Sequence, residues 1–213
     1  MLNKLLFLIW PPYEASVADK AIILRSQEIG ENARWDALLN EIRGLLPQDA
    51  DYEDLDKYAK DIQESELKRK DTVENKATSF ISSVGIAITI ITIIPALFAD
   101  TWEIPRTWAL VSGTAFFIAI ILLLVSVYYA FKVRLVKGFV VPCADAFKEL
   151  LKECGGKIEE RIVIRIASTK WNEDVLHQKI NYLSVAEDMF LRGLALIAFA
   201  VIICISGKIF ICQ

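Results

Sequence analysis

Two stretches of this chain, residues 77–99 and 107–131, contain no Asp, Glu, Lys, Arg or His. Each exceeds the roughly 20 residues that carry a helix across a ~30 Å hydrocarbon layer at 1.5 Å per residue. A helix on the surface of a soluble protein keeps a charged face opposite its apolar stripe, and neither stretch has one. The hydrophobic residues, 54% of the chain, are concentrated in such stretches, and the charged ones fall almost entirely outside them. A third uncharged run, residues 193–207, is shorter and bracketed by Arg192 and Lys208. Extended to 189–212 it crosses a bilayer if both cations snorkel toward the headgroups; the other reading is an interfacial or half-inserted tail. The expected fold is all-α: a three-span transmembrane helical bundle with a split helical cytoplasmic domain. Its regions are 1–76, N-terminal and cytoplasmic; 77–131, a hairpin of spans 77–99 and 107–131; 132–188, cytoplasmic; and 189–212, the third span.

Lysine and arginine near the spans set the orientation. Lys68, Arg69, Lys70 and Lys76 precede the first span, Lys132, Arg134 and Lys137 follow the second, and the loop between them holds only Arg106. The N-terminus and the 132–188 segment are therefore expected in the cytoplasm, with the C-terminus outside the inner membrane. Trp102 and Trp108 mark the outer loop, and Tyr128 and Tyr129 the inner end of span two, where aromatic belts belong. Cys143 and Cys154 would then be reduced, and Cys204 and Cys212 would serve as small packing residues in span three. Residues 1–10 have too short an apolar run for a signal peptide and no small-x-small site after it; they read as an interfacial foot or a helix packed on a neighbour.

In the cytoplasmic regions, apolar residues from Val17 to Leu46 recur at three- and four-residue steps, predicting one or two helices interrupted at Gly30 and ended by Gly44 and Pro47. From Tyr52 to Ala77 there is no proline or glycine, and Glu53/Lys57, Asp56/Lys60, Glu64/Lys68 and Glu66/Lys70 are acid-before-base pairs at i,i+4. A single helix is expected to run from there unbroken into span one. The acidic stretch 49–56 reads as solvated surface. Residues 142–154 form a short amphipathic pattern stopped by Gly155 and Gly156. Residues 161–166 alternate like a strand, but one isolated strand is hard to satisfy, which favours helix. Ser168 or Thr169 is expected to cap a helix leading to span three.

Span one carries a seam of small or hydroxyl residues, Thr78, Ser82, Gly85, Thr89, Thr92 and Ala96, at alternating four- and three-residue steps. That spacing keeps one stripe facing a partner along the whole helix. Span three offers a second line, Gly193, Ala200, Cys204 and Gly207. Small residues let backbones approach, and hydroxyls bond across helices at about 0.6–2 kcal/mol per good contact. Either spans one and three pack through these seams in one chain, or the span-one seam meets copies of itself around an oligomer axis. Span two, with Phe116, Phe117 and the run 120–124, is bulkier and is expected to face lipid, while Pro95 could kink span one.

No ionisable residue lies deep in spans one and two, which argues against a coupled transporter or voltage sensor. There is no phosphate-binding glycine loop, HExxH or GxSxG, and no zinc spacing, so neither an enzyme nor a cofactor or metal site is expected. His177 beside Glu173 and Asp174 reads as a helix-surface histidine. A net charge of −3 without a dense basic face gives no reason to expect direct nucleic-acid binding.

Residues 66–77 (Glu-Leu-Lys-Arg-Lys-Asp-Thr-Val-Glu-Asn-Lys-Ala), leading into a serine- and glycine-bearing span, resemble the helix that opens the first span of small bacterial multi-span proteins. Residues 178–186 (Gln-Lys-Ile-Asn-Tyr-Leu-Ser-Val-Ala), ahead of the last span, do so too. The resemblance covers residues 60–207 in arrangement and these two phrases in sequence. Proteins of that layout occur as membrane effectors of anti-phage and nucleotide-signalling systems. The resemblance implies a homo-oligomeric effector that perturbs or permeabilises the bilayer on a cytoplasmic signal, delivered by a protein partner or a small nucleotide. The alternative is a passive anchor or scaffold that holds a cytoplasmic partner at the membrane.

Overall fold

The computed structural model describes residues 10–13, 15–17, 19–20, 31–47, 51–98, 106–136, 139–140 and 157–211. Among these the chain is all-α and contains no strand. Four helices order it: α1 (Glu31–Leu45), α2 (Tyr52–Phe98), α3 (Arg106–Leu135) and α4 (Ile158–Ile211). The expected segments at residues 1–9, Gly30, 99–105 and 142–154 lie outside the described residues.

The helix ends follow from local chemistry. α1 stops at Leu45, just after Gly44 and two residues before Pro47. α2 begins after Asp51, whose Oδ1 accepts the Glu53 N–H at 3.0 Å and so satisfies one of the first-turn donors. Glu53 and Asp54 add negative charge at the positive end of the helix dipole. α2 then runs for 47 residues without a break, as the absence of early glycine and proline predicts. α3 carries Lys132 and Arg134 in its last turn, the favourable end for cations.

α4 differs from expectation at its start. It begins at Ile158 and runs for 54 residues, so residues 161–166 are helix. Ser168 and Thr169 are interior to it and cap nothing; their hydroxyls donate to the Arg165 carbonyl at 2.9 and 2.8 Å, the usual way a mid-helix hydroxyl is satisfied. On α2 the ion pairs seen are Lys60–Glu64 at 3.8 Å and Arg69–Glu66 at 3.1 Å, in place of the expected acid-before-base set.

Among the described residues two helices, and not the expected three, are long and apolar enough to cross a membrane: Arg106–Leu135 and the Ile158–Gly207 part of α4. Residues 77–98 of the first predicted span form the second half of α2, where the side chains at 90, 92 and 94–98 lie outside the described residues.

The chain divides into two compact units. One comprises the described parts of Met1–Tyr13, Asn75–Leu135 and Asn181–Gln213; the other comprises those of Glu14–Glu74 and Val136–Ile180. Two of its passages between them fall inside helices, one in α2 and one in α4.

In the first unit, Val84, Ile91 and Leu123 form a buried cluster, with Phe80, Phe116, Phe190 and Ile197 packed against it. Phe80 and Phe190 meet edge to face at 5.2 Å. In the second, Ile42, Val163 and Ala167 are the core, covered by Trp35, Leu38, Leu39 and Ile166. Trp35 stands edge to face with Trp171 at 5.8 Å.

Candidate functional site

Within the first unit, the span-one seam is not the surface by which α2 packs. Thr78, Ser82, Gly85 and Thr89 are exposed, whereas Ala77, Val84 and Ile91, on another face, are buried. Ser82 and Thr89 donate to the carbonyls four residues back, Thr78 and Gly85, at 3.3 and 2.9 Å. A Cβ added at Gly85 would meet nothing within 4 Å. The side chains of Thr92 and Ala96 lie outside the described residues. The second seam behaves oppositely, since Gly193, Ala200, Cys204 and Gly207 are all buried.

Those buried small residues belong to contacts that sequence reasoning misses. α3 has its own small stripe, Ser112, Ala115, Ala119, Ser126 and Ala130, buried together with Leu123 and Val133. Span two is therefore not bulky all round: one face of it is a buried stripe of small residues. Phe117 and Leu124 are exposed, but the three- and four-residue spacing of its small residues is hidden among aliphatic neighbours. At Gly193 an added Cβ would lie 3.0 Å from Leu123 Cδ2 and 3.4 Å from the Ala119 carbonyl, so glycine is what lets α4 approach α3 there. Nearby, the buried Ser126 hydroxyl donates to the Ala186 carbonyl at 2.7 Å.

The second unit is organised by charge. Lys179 is 2% exposed, and its Nζ lies 2.6 Å from Glu74 Oε1, joining α4 to α2. Asp56, expected on solvated surface, instead takes two arginines of α4, Arg165 at 3.2 Å and Arg161 at 3.6 Å. Arg165 also donates to the Asp56 carbonyl at 3.3 Å. Asp56 Oδ1 and Arg161 Nε are buried without a hydrogen bond, so this is an ion cluster of imperfect geometry. α1 is held to α4 by Arg34–Asp174 at 2.5 Å, by a two-point Arg43–Glu160 pair at 3.0 Å, and by Lys170–Glu41 at 3.3 Å. Arg34 also lies over the Trp171 ring, 4.8 Å from its centre.

Between α2 and α4 in this unit lies a groove of about 400 Å³, within the range of small-ligand sites. Leu55, Tyr58, Ala59, Ile62 and Ile166 supply apolar lining, and Glu66, Arg69, Lys170 and Glu173 supply charge of both signs. Tyr58 is 66% exposed there. The tyrosine is visible in the sequence as part of the narrow Leu55, Tyr58, Ile62 seam. Its partners from α4 are not.

His177 is exposed on α4, 3.6 Å from Glu173. Among the described residues no group of three or more His, Cys, Asp or Glu could hold a metal ion. No protein-family model, curated protein or solved structure matches the chain.

Proposed function

We propose that this chain is an oligomeric inner-membrane effector of three spans, whose cytoplasmic unit receives a signal and whose spans rearrange to permeabilise the bilayer. The observation that carries this reading is the exposed stripe Thr78, Ser82, Gly85 and Thr89 on a helix that buries Ala77, Val84 and Ile91 on another face. A hydroxyl-bearing stripe gains little from lipid tails, whereas a neighbouring copy or a water column can use it. Thr92 and Ala96 extend it in sequence. Two features support the link to a signal. Two of the passages between the units are made inside unbroken helices, and the unit outside the spans contains a groove of ligand size. A small nucleotide or a protein segment is the occupant in this reading, and anti-phage defence its setting.

The experiment is dye leakage from liposomes containing the purified chain, with its mass in nanodiscs measured alongside. Four or more copies and leakage that disappears in the Ser82→Leu/Gly85→Leu variant support the effector. Absence of leakage under every condition, together with a monomer or dimer, sinks it.

The second reading is a membrane anchor that recruits a cytoplasmic protein, favoured by the exposed Tyr58 and Ile62 in the groove. An anchor keeps recruiting its partner in the Ser82→Leu/Gly85→Leu variant and loses it in Tyr58→Asp.

A further inference from the structure

Within the second unit α2 and α4 run the same way and keep step. Their contacts, from Asp56–Arg161 and Asp56–Arg165 to Glu74–Lys179, join residues 105 to 109 apart in sequence. The groove between them is therefore a trough with two parallel helical walls. Tyr58 and Ile62 of α2 stand along it with Ile166 of α4, and 66% of Tyr58 and 36% of Ile62 are exposed. Four charges flank these residues, Glu66 and Arg69 on the α2 wall and Lys170 and Glu173 on the α4 wall.

The bonds that these charges make now are cheaply exchanged. Arg69 pairs with Glu66 on its own helix at 3.1 Å, Lys170 with Glu41 at 3.3 Å, and Glu173 with His177 at 3.6 Å. Arg69, Lys170 and Glu173 keep more than half of their side chains in solvent, where such pairs contribute little.

The two walls are complementary to each other in charge as well as in direction. Copies inserted the same way up in one bilayer are related by an axis along the membrane normal. Two helix pairs closed about such a two-fold axis form a four-helix arrangement in which each α2 lies beside the second copy's α4. With the observed step kept, the second copy's Lys170 stands about 2–8 Å along the axis from Glu66, and its Glu173 the same from Arg69, at 1.5 Å per residue. Long charged side chains span that offset. Tyr58, Ile62 and Ile166 of the two copies then cover one another, giving an apolar centre with a charged rim.

We propose that this groove is the docking surface for a second copy of the chain, closed by Tyr58, Ile62 and Ile166 and fixed by Glu66–Lys170 and Arg69–Glu173 pairs between copies. The contact rests on the oligomer and membrane reading above and is independent of the pore. A ligand entering the groove displaces it, which gives a signal a means of changing the arrangement of copies.

The test is cross-linking of the full chain in membranes by a short bismaleimide, with the four native cysteines replaced by alanine and one new cysteine introduced. Ile62→Cys is expected to give a product of twice the chain mass, at least about five-fold more than Lys57→Cys, whose exposed side chain lies on another face of α2. Arg69→Glu is expected to lower the Ile62→Cys product about five-fold, the scale of two surface ion pairs. Adding Glu173→Arg is expected to restore it, which separates a broken contact from a misfolded unit. Equal products from Ile62→Cys and Lys57→Cys, no loss on charge reversal, or a loss that Glu173→Arg leaves in place overturns the contact. A product heavier than one chain but not of twice its mass also overturns it, because the groove would then hold a different protein. The mass of the wild-type chain in nanodiscs separates the failures: a monomer defeats the oligomer reading itself, whereas an oligomer without the Ile62→Cys product defeats only this surface.

Discussion

The two units of this protein are assembled by opposite means. The unit containing α3 is closed by smallness: Gly193 against Leu123, alanines along α3, and one buried hydroxyl bond from Ser126. The unit containing α1 is closed by charge, with ion pairs and charged hydrogen bonds joining residues 105 to 140 apart in sequence. The difference fits the proposed placement of the first unit in the bilayer and of the second in water. Against lipid there is no hydrophobic drive between helices, so close backbone approach and a few hydroxyl bonds do the joining. In water, charged side chains can reach across helices at modest desolvation cost, and Trp35, Ile42 and Val163 supply the apolar contribution.

On that contrast, the largest effect among the described residues should come from the pair in which the Lys179 ammonium is buried against Glu74. Glu74→Ala leaves the Lys179 ammonium buried without this carboxylate and is expected to destabilise the second unit by about 3 kcal/mol, read by thermal unfolding in nanodiscs. The pair Glu74→Leu/Lys179→Met should recover most of that loss, because removing both charges removes the desolvation problem. Failure to recover would mean the pair specifies the register of α2 on α4 in addition to balancing charge.

Gly193→Leu should come next, at about 2 kcal/mol, through overpacking against Leu123 in the first unit. Gly85→Leu, on the exposed stripe of the same unit, should leave the melting of the monomer within roughly 0.5 kcal/mol. Equal effects at the two glycines would break the distinction between a packed and an open face.

Asp56→Ala is smaller still, about 1–2 kcal/mol, because Arg161 and Arg165 keep partial access to water. The exposed Lys60–Glu64 pair should contribute less than about 0.5 kcal/mol, so Lys60→Ala serves as the baseline of the series. A rise in salt should narrow the gap between Lys60→Ala and wild type before it affects Glu74→Ala.

Several features are legible in the sequence alone. The unbroken first part of α2 follows from residues 52–77, which contain no glycine or proline. The stop of α1 follows from Gly44 and Pro47. The apolar lengths of α3 and of the last part of α4 follow directly from their composition. The errors share one cause. Ser168 and Thr169 look like caps because serine and threonine favour helix starts, yet Ile158 has already begun a helix long enough to absorb them. Asp56 looks solvated because its sequence neighbours are acidic, yet two arginines more than a hundred residues away cover it. The small stripe of α3 is concealed because bulky residues alternate with it.

Helix formation is governed by backbone bonds and side chains within four residues, so the sequence by itself determined that the described residues are helical and that α3 and the last part of α4 are long and apolar enough to cross a bilayer. Which face of each helix is covered depends on a partner helix far away in the chain. Only the tertiary structure decided that Gly193 would be buried and Gly85 left open, and that Lys179 would reach Glu74. Small residues on a helix are equally suited to either role until a neighbour arrives, and the neighbour is chosen by the fit of the whole surface.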